Sequence, residues 1–231
     1  MGQLRILLIG DGRHELGSRL DEPLVPRDLP PLGILVHRLL GKPENASFVS
    51  RRFRDIGQAR VTSVVRTVQD AKISAFARKA AQGIAKARAE GFDAVVILID
   101  RDRRTNAETI DCLSQGRDSV TQKMPSPRCA VGVAIETFDA WMIVDGAAIG
   151  DAGGDASHSF PEAEGLDGDE QSGRHPKTKA AQIFGSGEGL GDKYAAVAKH
   201  VRLDLLSKLC DKGFAPFARE VQAHLLPLLQ G

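Results

Sequence analysis

The chain has 231 residues, 42% of them hydrophobic, enough to bury one sizeable core or one core with a helical appendage. Its 31 basic and 30 acidic residues leave a net charge of +1, which excludes the global positive field of many nucleic-acid binders and confines anion binding to a local patch. Three scattered cysteines, Cys112, Cys129 and Cys210, with no C-x-x-C pair, argue against a disulfide framework or a structural zinc site and for a reducing cytoplasm.

The apolar run Leu4 to Ile9 predicts a first strand, closed by the turn Gly10-Asp11-Gly12, whose glycines tolerate positive φ. That run is too short for a signal peptide or a membrane span, so a soluble, cytoplasmic protein is expected. Asp21 to Pro31 carries four prolines and predicts an irregular loop, followed by a short helix over Leu32 to Leu40 and a turn at Gly41-Lys-Pro43. Val61 to Val68, rich in β-branched residues, predicts the second strand. Lys72 to Glu90 repeats alanine and apolar residues at helical spacing and stops at Gly91.

Ala94-Val-Val-Ile-Leu-Ile99 is six apolar residues in a row, the mark of a strand buried on both faces of a parallel sheet. A polar helix is expected near Asn106 to Ser114, a fourth strand over Cys129 to Ile135 and a helix over Glu136 to Val144. This alternation predicts an α/β fold: an open, mostly parallel sheet with helices on both faces, over residues 1–145. After Asp145 the composition shifts. Gly146 to Gly173 reads as a long flexible insert, and Lys177 to Phe184, Tyr194 to His200, Leu203 to Cys210 and Pro216 to Leu229 read as amphipathic helices. Residues 146–231 are thus expected to form an insert and a helical cap packed on the sheet.

Acidic residues follow three of the four predicted strands. Asp11 follows the first with Glu15 just beyond, Asp100 and Asp102 follow the third, and Glu136 follows the fourth. In a parallel sheet these ends share one edge, where ligands bind. Carboxylates gathered there repel one another unless a proton or a cation intervenes, and oxygen ligands suit Mg²⁺ or Mn²⁺. The alternatives are a solvated, salt-bridged turn for Asp100 and Asp102, and simple helix starts for Asp11 and Glu136. Arg101, Arg103 and Arg104 flank the acidic pair, and Arg13 and His14 stand beside Asp11; arginine pairs bidentately with phosphate oxygens, or here merely neutralises the acids. Trp141, the one tryptophan, reads as core rather than a base-stacking platform. There is no G-x-G-x-x-G, since position 15 is Glu15, and no P-loop, since Gly185 to Gly191 lacks the lysine.

With an acid after the first strand and Ile-Leu-Ile-Asp100-Arg-Asp102 after a later one, the chain resembles the Toprim superfamily of topoisomerases, primases and overcoming-lysogenization-defect nucleases. The usual Val-Glu-Gly turn is replaced by Gly10-Asp11-Gly12, so Asp11 or Glu15 would take the glutamate's part. More narrowly it is similar to a bacterial Toprim-like family of unknown function whose genes lie near anti-phage ATPases. Glu136-Thr-Phe-Asp139-Ala-Trp141, His175-Pro176-Lys177, Lys193-Tyr194 and the Phe214 to Phe217 segment carry that likeness. It implies a Toprim/Rossmann-like sheet and metal-dependent phosphodiester cleavage, possible phage defence, a nucleic-acid partner (DNA before RNA), and an ATPase partner. Asp100, Asp102, Glu136, Asp11 and Glu15 would hold the metal, and Arg101, Arg103 or Lys177 would stabilise developing negative charge. Two rivals remain: a D-x-D phosphohydrolase or nucleotide-sugar transferase, and a non-catalytic subunit of an ATPase.

Overall fold

The computed structural model describes residues 2–56, 74–101, 106–166, 173–185 and 189–230. Among these, five strands form one open sheet: β1 (Leu4–Gly10), β2 (Pro23–Leu24), β3 (Ala46–Arg52), β4 (Ala94–Asp100) and β5 (Arg128–Ala134), in the order β2-β3-β1-β4-β5. All pairings are parallel except the short β2–β3 edge, which is antiparallel. The predicted α/β class and mostly parallel sheet are therefore what the chain adopts.

Strand periodicity divides the core into two. Leu7 and Ile9 of β1 and Val95, Ile97 and Ile99 of β4 face the helices α3 (Ala75–Ala89) and α4 (Asn106–Thr121). Ile6 and Leu8, with Val96 and Leu98, face α2 (Pro31–Leu39), which lies on the other side. That second face is completed by late elements, chiefly α8 (Leu190–His200), which packs on α2, and α10 (Phe214–Leu225), which packs on β5. Gly132 makes the latter approach possible, because a Cβ there would lie 2.4 Å from the buried Phe217 ring. The other helices are α1 (Arg13–Leu16), α5 (Asp139–Met142), α6 (Gly146–Asp151), α7 (Pro176–Phe184) and α9 (Leu203–Leu209).

Several expectations need correcting. The strand beside β1 is Ala46–Arg52, a segment too mixed in polarity to announce itself; the strand expected at Val61 to Val68 falls outside the described residues. The proline-rich stretch is not wholly irregular, since Pro23–Leu24 pairs with β3 and Pro31 opens α2. The helix expected from Glu136 is confined to Asp139–Met142, because Glu136 has φ of 59°, which no right-handed helix accommodates. Within the expected insert, Gly146–Asp151 is helical and Ala156–His158 and Ala163–Gly165 are 3₁₀ turns. Conversely, the helix expected to end near Ser114 runs on to Thr121.

The strand order reverses at β1. From β1 the chain moves outward to β3, then returns across β1 to build β4 and β5 on the other side. The gap between the carboxyl ends of β1 and β4 is thus the topological switch point, the place where open parallel sheets bind ligands.

The α3–α4 crossing is close enough to test. A Cβ on Gly116 would lie 2.2 Å from the backbone oxygen of Ala77, and backbone cannot move aside as a side-chain tip can. Gly116→Ala is expected to destabilise the fold by about 3 kcal/mol, within reach of known overpacking costs, as read from urea unfolding midpoints.

Candidate functional site

The turn after β1 is built around a carboxylate. The Gly12 N–H donates to Glu15 Oε1 at 2.6 Å, and a Cβ at Gly10 or Gly12 would lie 2.8 or 2.5 Å from the Glu15 carboxylate oxygens. These glycines therefore serve space rather than positive φ, for Gly12 has φ of −107°. Glu15 is consequently buried, while Asp11, one residue into the turn, stays exposed. Burial is the main reason the Glu15 carboxyl is pushed up to about 7, with the Asp11 charge adding to it and the Gly12 N–H opposing it.

Asp100 reaches the same place from the end of β4. Its Oδ1 accepts the Phe138 N–H at 3.0 Å, tying β4 to the turn after β5. Burial first, then the charges of Glu15, Asp139 and Asp11, raise its pKa well above the ordinary carboxylate value. Those same three acids are the near neighbours of Asp100 in charge. Asp139 opens α5, is buried, and accepts a short hydrogen bond from the Tyr194 hydroxyl. Tyr194 is held above its usual pKa by its burial and then by Asp139, so it stays a donor. Its ring meets His14 edge-on at 5.8 Å between centroids. Lys79 of α3 lies 3.7 Å from Asp11 and 4.6 Å over the Phe53 ring, supplying a cation at the rim.

The expected residues therefore divide. Asp11, Glu15 and Asp100 come together at the switch point. Glu136 takes a different course: its buried carboxylate pairs with the Arg101 guanidinium, and it is not among the charges that raise Asp100. Arg101 is thereby committed to Glu136, with its Nε buried and unpartnered among the described residues. Lys177 is exposed on α7, which packs on α5. Asp102 and Arg103 lie outside the described residues. Asp139, Tyr194 and Lys79 are the additions. Asp139 already stood inside the Glu136 to Trp141 motif, whereas nothing in the local sequence marks Lys79.

Trp141 is core: wholly buried, it stacks on Phe217 at 5.5 Å and donates its indole N–H to Glu164 at 3.1 Å. Among the described residues, no group of three or more His, Cys, Asp or Glu side chains is placed to hold a metal ion by itself. Nor is any described helix long and apolar enough to cross a membrane. Comparison of the chain with protein-family models, with curated proteins and with solved structures yields no match.

The burial of Glu15 predicts a pH signature. With a folded pKa near 7 against 4.5 unfolded, the folded state binds the extra proton between those values. Its cost to stability is therefore absent below pH 4.5, grows through the interval and is complete above pH 7. Glu15→Gln should stabilise the metal-free protein at pH 8 by on the order of 3 kcal/mol and hardly at all at pH 4.5, measured by denaturant titration at each pH.

The buried ion pair gives a second expectation. Arg101→Met leaves Glu136 charged, buried and unpaired, at a cost of about 3 kcal/mol. Adding Glu136→Met to that variant should restore much of the loss, which a double-mutant cycle would measure.

Proposed function

We propose that this chain is a Mg²⁺- or Mn²⁺-dependent enzyme that cleaves phosphodiester bonds in nucleic acid, DNA before RNA, in the manner of the Toprim proteins it resembles. The reading is carried by the convergence of Asp11, Glu15, Asp100 and Asp139 at the switch point, with Glu15 and Asp100 pushed toward protonation by burial first, then Glu15 by the charge of Asp11 and Asp100 by those of Glu15, Asp139 and Asp11. Such a group loses its mutual repulsion when a divalent cation enters.

The donor set fits the ion. All four acids offer hard oxygen, and Mg²⁺ commonly takes only one or two protein carboxylates, leaving its other positions to water and substrate phosphate. Asp100 and Asp11 would hold it, with Asp102 as the further acid of the motif. When bound, it polarises a phosphoryl oxygen and lowers the pKa of a bound water.

The chain's own groups then have distinct tasks. Glu15, buried beneath the Gly12 turn and beside Asp100, is the group placed to take a proton from a water, as a general base must. Lys79, beside Asp11, offers positive charge to a phosphate developing negative charge. The Tyr194 hydroxyl fixes the Asp139 carboxylate by donating to it, so that Asp139 faces Asp100 in one orientation.

Cleavage of single-stranded and supercoiled DNA with Mn²⁺ is the test. The wild-type chain should cut, and Asp100→Asn or Asp139→Asn should slow it by about 10²-fold or more. Mn²⁺ at a hundred times its Kd should stabilise the wild-type fold by about 2.7 kcal/mol and the Asp100→Asn variant much less. A folded protein that cuts no nucleic acid with any divalent ion would overturn the reading. Release of phosphate from a small monoester alone would identify a phosphohydrolase instead, and Mn²⁺ stabilisation without turnover would identify an accessory subunit.

A further inference from the structure

A cleft of about 870 Å³ opens on the far side of α1 from the carboxylates. The two share their walls. In α1, Glu15 turns into the carboxylate group while Arg13 and His14 line the cleft; in α8, Tyr194 bonds Asp139 while Leu190, Asp192 and Ala195 line the cleft. His14 and Tyr194, in edge contact, form the partition. Whatever occupies the cleft is therefore held by the same two elements that carry Glu15 and Tyr194.

Its size falls in the range of small-ligand sites, and its lining has their character: apolar walls with a few polar groups. Pro30, itself largely buried, and the partly exposed Leu190 belong to the apolar part of the lining, the kind of surface a base ring packs against. The charges are specific in their disposition. Arg19 is bound to Glu22 at 2.9 Å and lies 3.7 Å from Asp28, so the charges of Arg19 and Asp28 are largely spent on each other and on Glu22. Arg13 is exposed, and no carboxylate lies within ion-pair distance of it among the described residues, which leaves it available to a phosphate. Asp192, the remaining acid of the lining, is an acceptor for a sugar hydroxyl or a base amino group. A cation for phosphate, an acceptor for hydroxyl or amine, and apolar walls for a ring are together the requirements of one nucleotide.

We propose that this cleft seats a nucleotide of the substrate strand adjacent to the phosphodiester that is cut, with its phosphate on Arg13, its base against Pro30 and Leu190, and Asp192 accepting from its sugar or base. The assignment rests on the cleavage reading for the word substrate, and on the cleft alone for the word nucleotide. Binding in the cleft would fix the register of the strand at the carboxylates without reading its sequence, since Arg13 and apolar walls accept any base.

The experiment uses the full chain and dAMP as probe, with inorganic phosphate as control, in isothermal titration calorimetry. Wild type should bind dAMP more tightly than phosphate. Arg13→Gln should weaken dAMP by about tenfold, the worth of one charge-assisted hydrogen bond, and Ala195→Phe, which projects a ring into the cleft, should weaken it by about as much. With an oligonucleotide substrate and Mn²⁺, both variants should raise KM by about tenfold while keeping kcat. Arg13 is exposed, so Arg13→Gln keeps the test valid if Ala195→Phe does not fold. Failure of dAMP to bind wild type, or equal binding to both variants, overturns the cleft as a nucleotide seat. Cleavage with KM unchanged in both variants overturns it while leaving the cleavage reading intact. Variant-sensitive dAMP binding by a protein that cuts nothing supports the nucleotide seat and overturns the cleavage reading.

Discussion

Glu15 folds back beneath the turn that joins β1 to α1, and it fits there only because Gly10 and Gly12 have no Cβ to fill the space. Much follows from that packing. A carboxylate placed under a turn is desolvated, and the N–H of Gly12 offsets only part of the loss. Asp100 arrives from the neighbouring strand end, itself desolvated, and the charge of Glu15 raises its affinity for a proton further. Folding a chain around such a group is unfavourable in isolation. It is tolerated because β1 and β4, with eleven apolar residues between Leu4 and Ile9 and between Ala94 and Ile99 almost all shut away from water, have stabilisation to spare.

The elements after residue 145 are part of this arrangement rather than a covering laid over it. Tyr194 of α8 orients Asp139, and Phe217 of α10 fills the hollow left by Gly132 on β5. Glu164 gathers the Trp141 indole and the N–H groups of Lys212, Gly213 and Phe214, at 3.0 to 3.3 Å, so one buried carboxylate both caps α10 and fixes α5. Asp145 accepts from the Arg202 backbone and guanidinium; burial works against its charge, yet these bonds hold it below the usual carboxylate range. The segment carrying Asp139 is thus braced at both ends by the carboxyl-terminal third. Positioning at the switch point depends on residues far away in sequence.

What was legible in the sequence follows from how each signal arises. β1 and β4 are readable because strands buried on both faces must be continuously apolar. β3 is not, because Ser47, Ser50, Arg51 and Arg52 interrupt it. Arg52 is tolerated there by Asp55 three residues on, but Arg51 by Asp21 and Glu90, partners far away in sequence that no local pattern reveals. Asp11, Glu15 and Asp100 are readable as a group since strand ends of a parallel sheet share an edge. Lys79 is not, because its place at Asp11 depends on the angle at which α3 crosses the sheet. Nor does periodicity show that Glu136 would adopt positive φ and break the helix expected there.

That break separates two acids only three residues apart. Ile135 accepts from the Thr137 N–H at 2.9 Å, and the tight turn so formed swings Glu136 toward Arg101 and presents the Phe138 N–H to Asp100. A residue held in the left-handed region without being glycine costs of order 1 kcal/mol or more, and persists where the surroundings overdetermine it. Here they do: an ion pair on one side and a strand-end carboxylate on the other. Glu136 receives a full countercharge from Arg101, whereas Asp100, Glu15 and Asp139 are held by backbone N–H groups and one tyrosine hydroxyl, the rim lysine lying against Asp11. Environments that neutralise one carboxylate and leave its neighbours undercompensated are how a fold separates structural acids from reactive ones. By that measure the undercompensated carboxylates lie at the β1–β4 switch point, while the acid that stands directly after β5 in sequence is ion-paired to the arginine that follows β4.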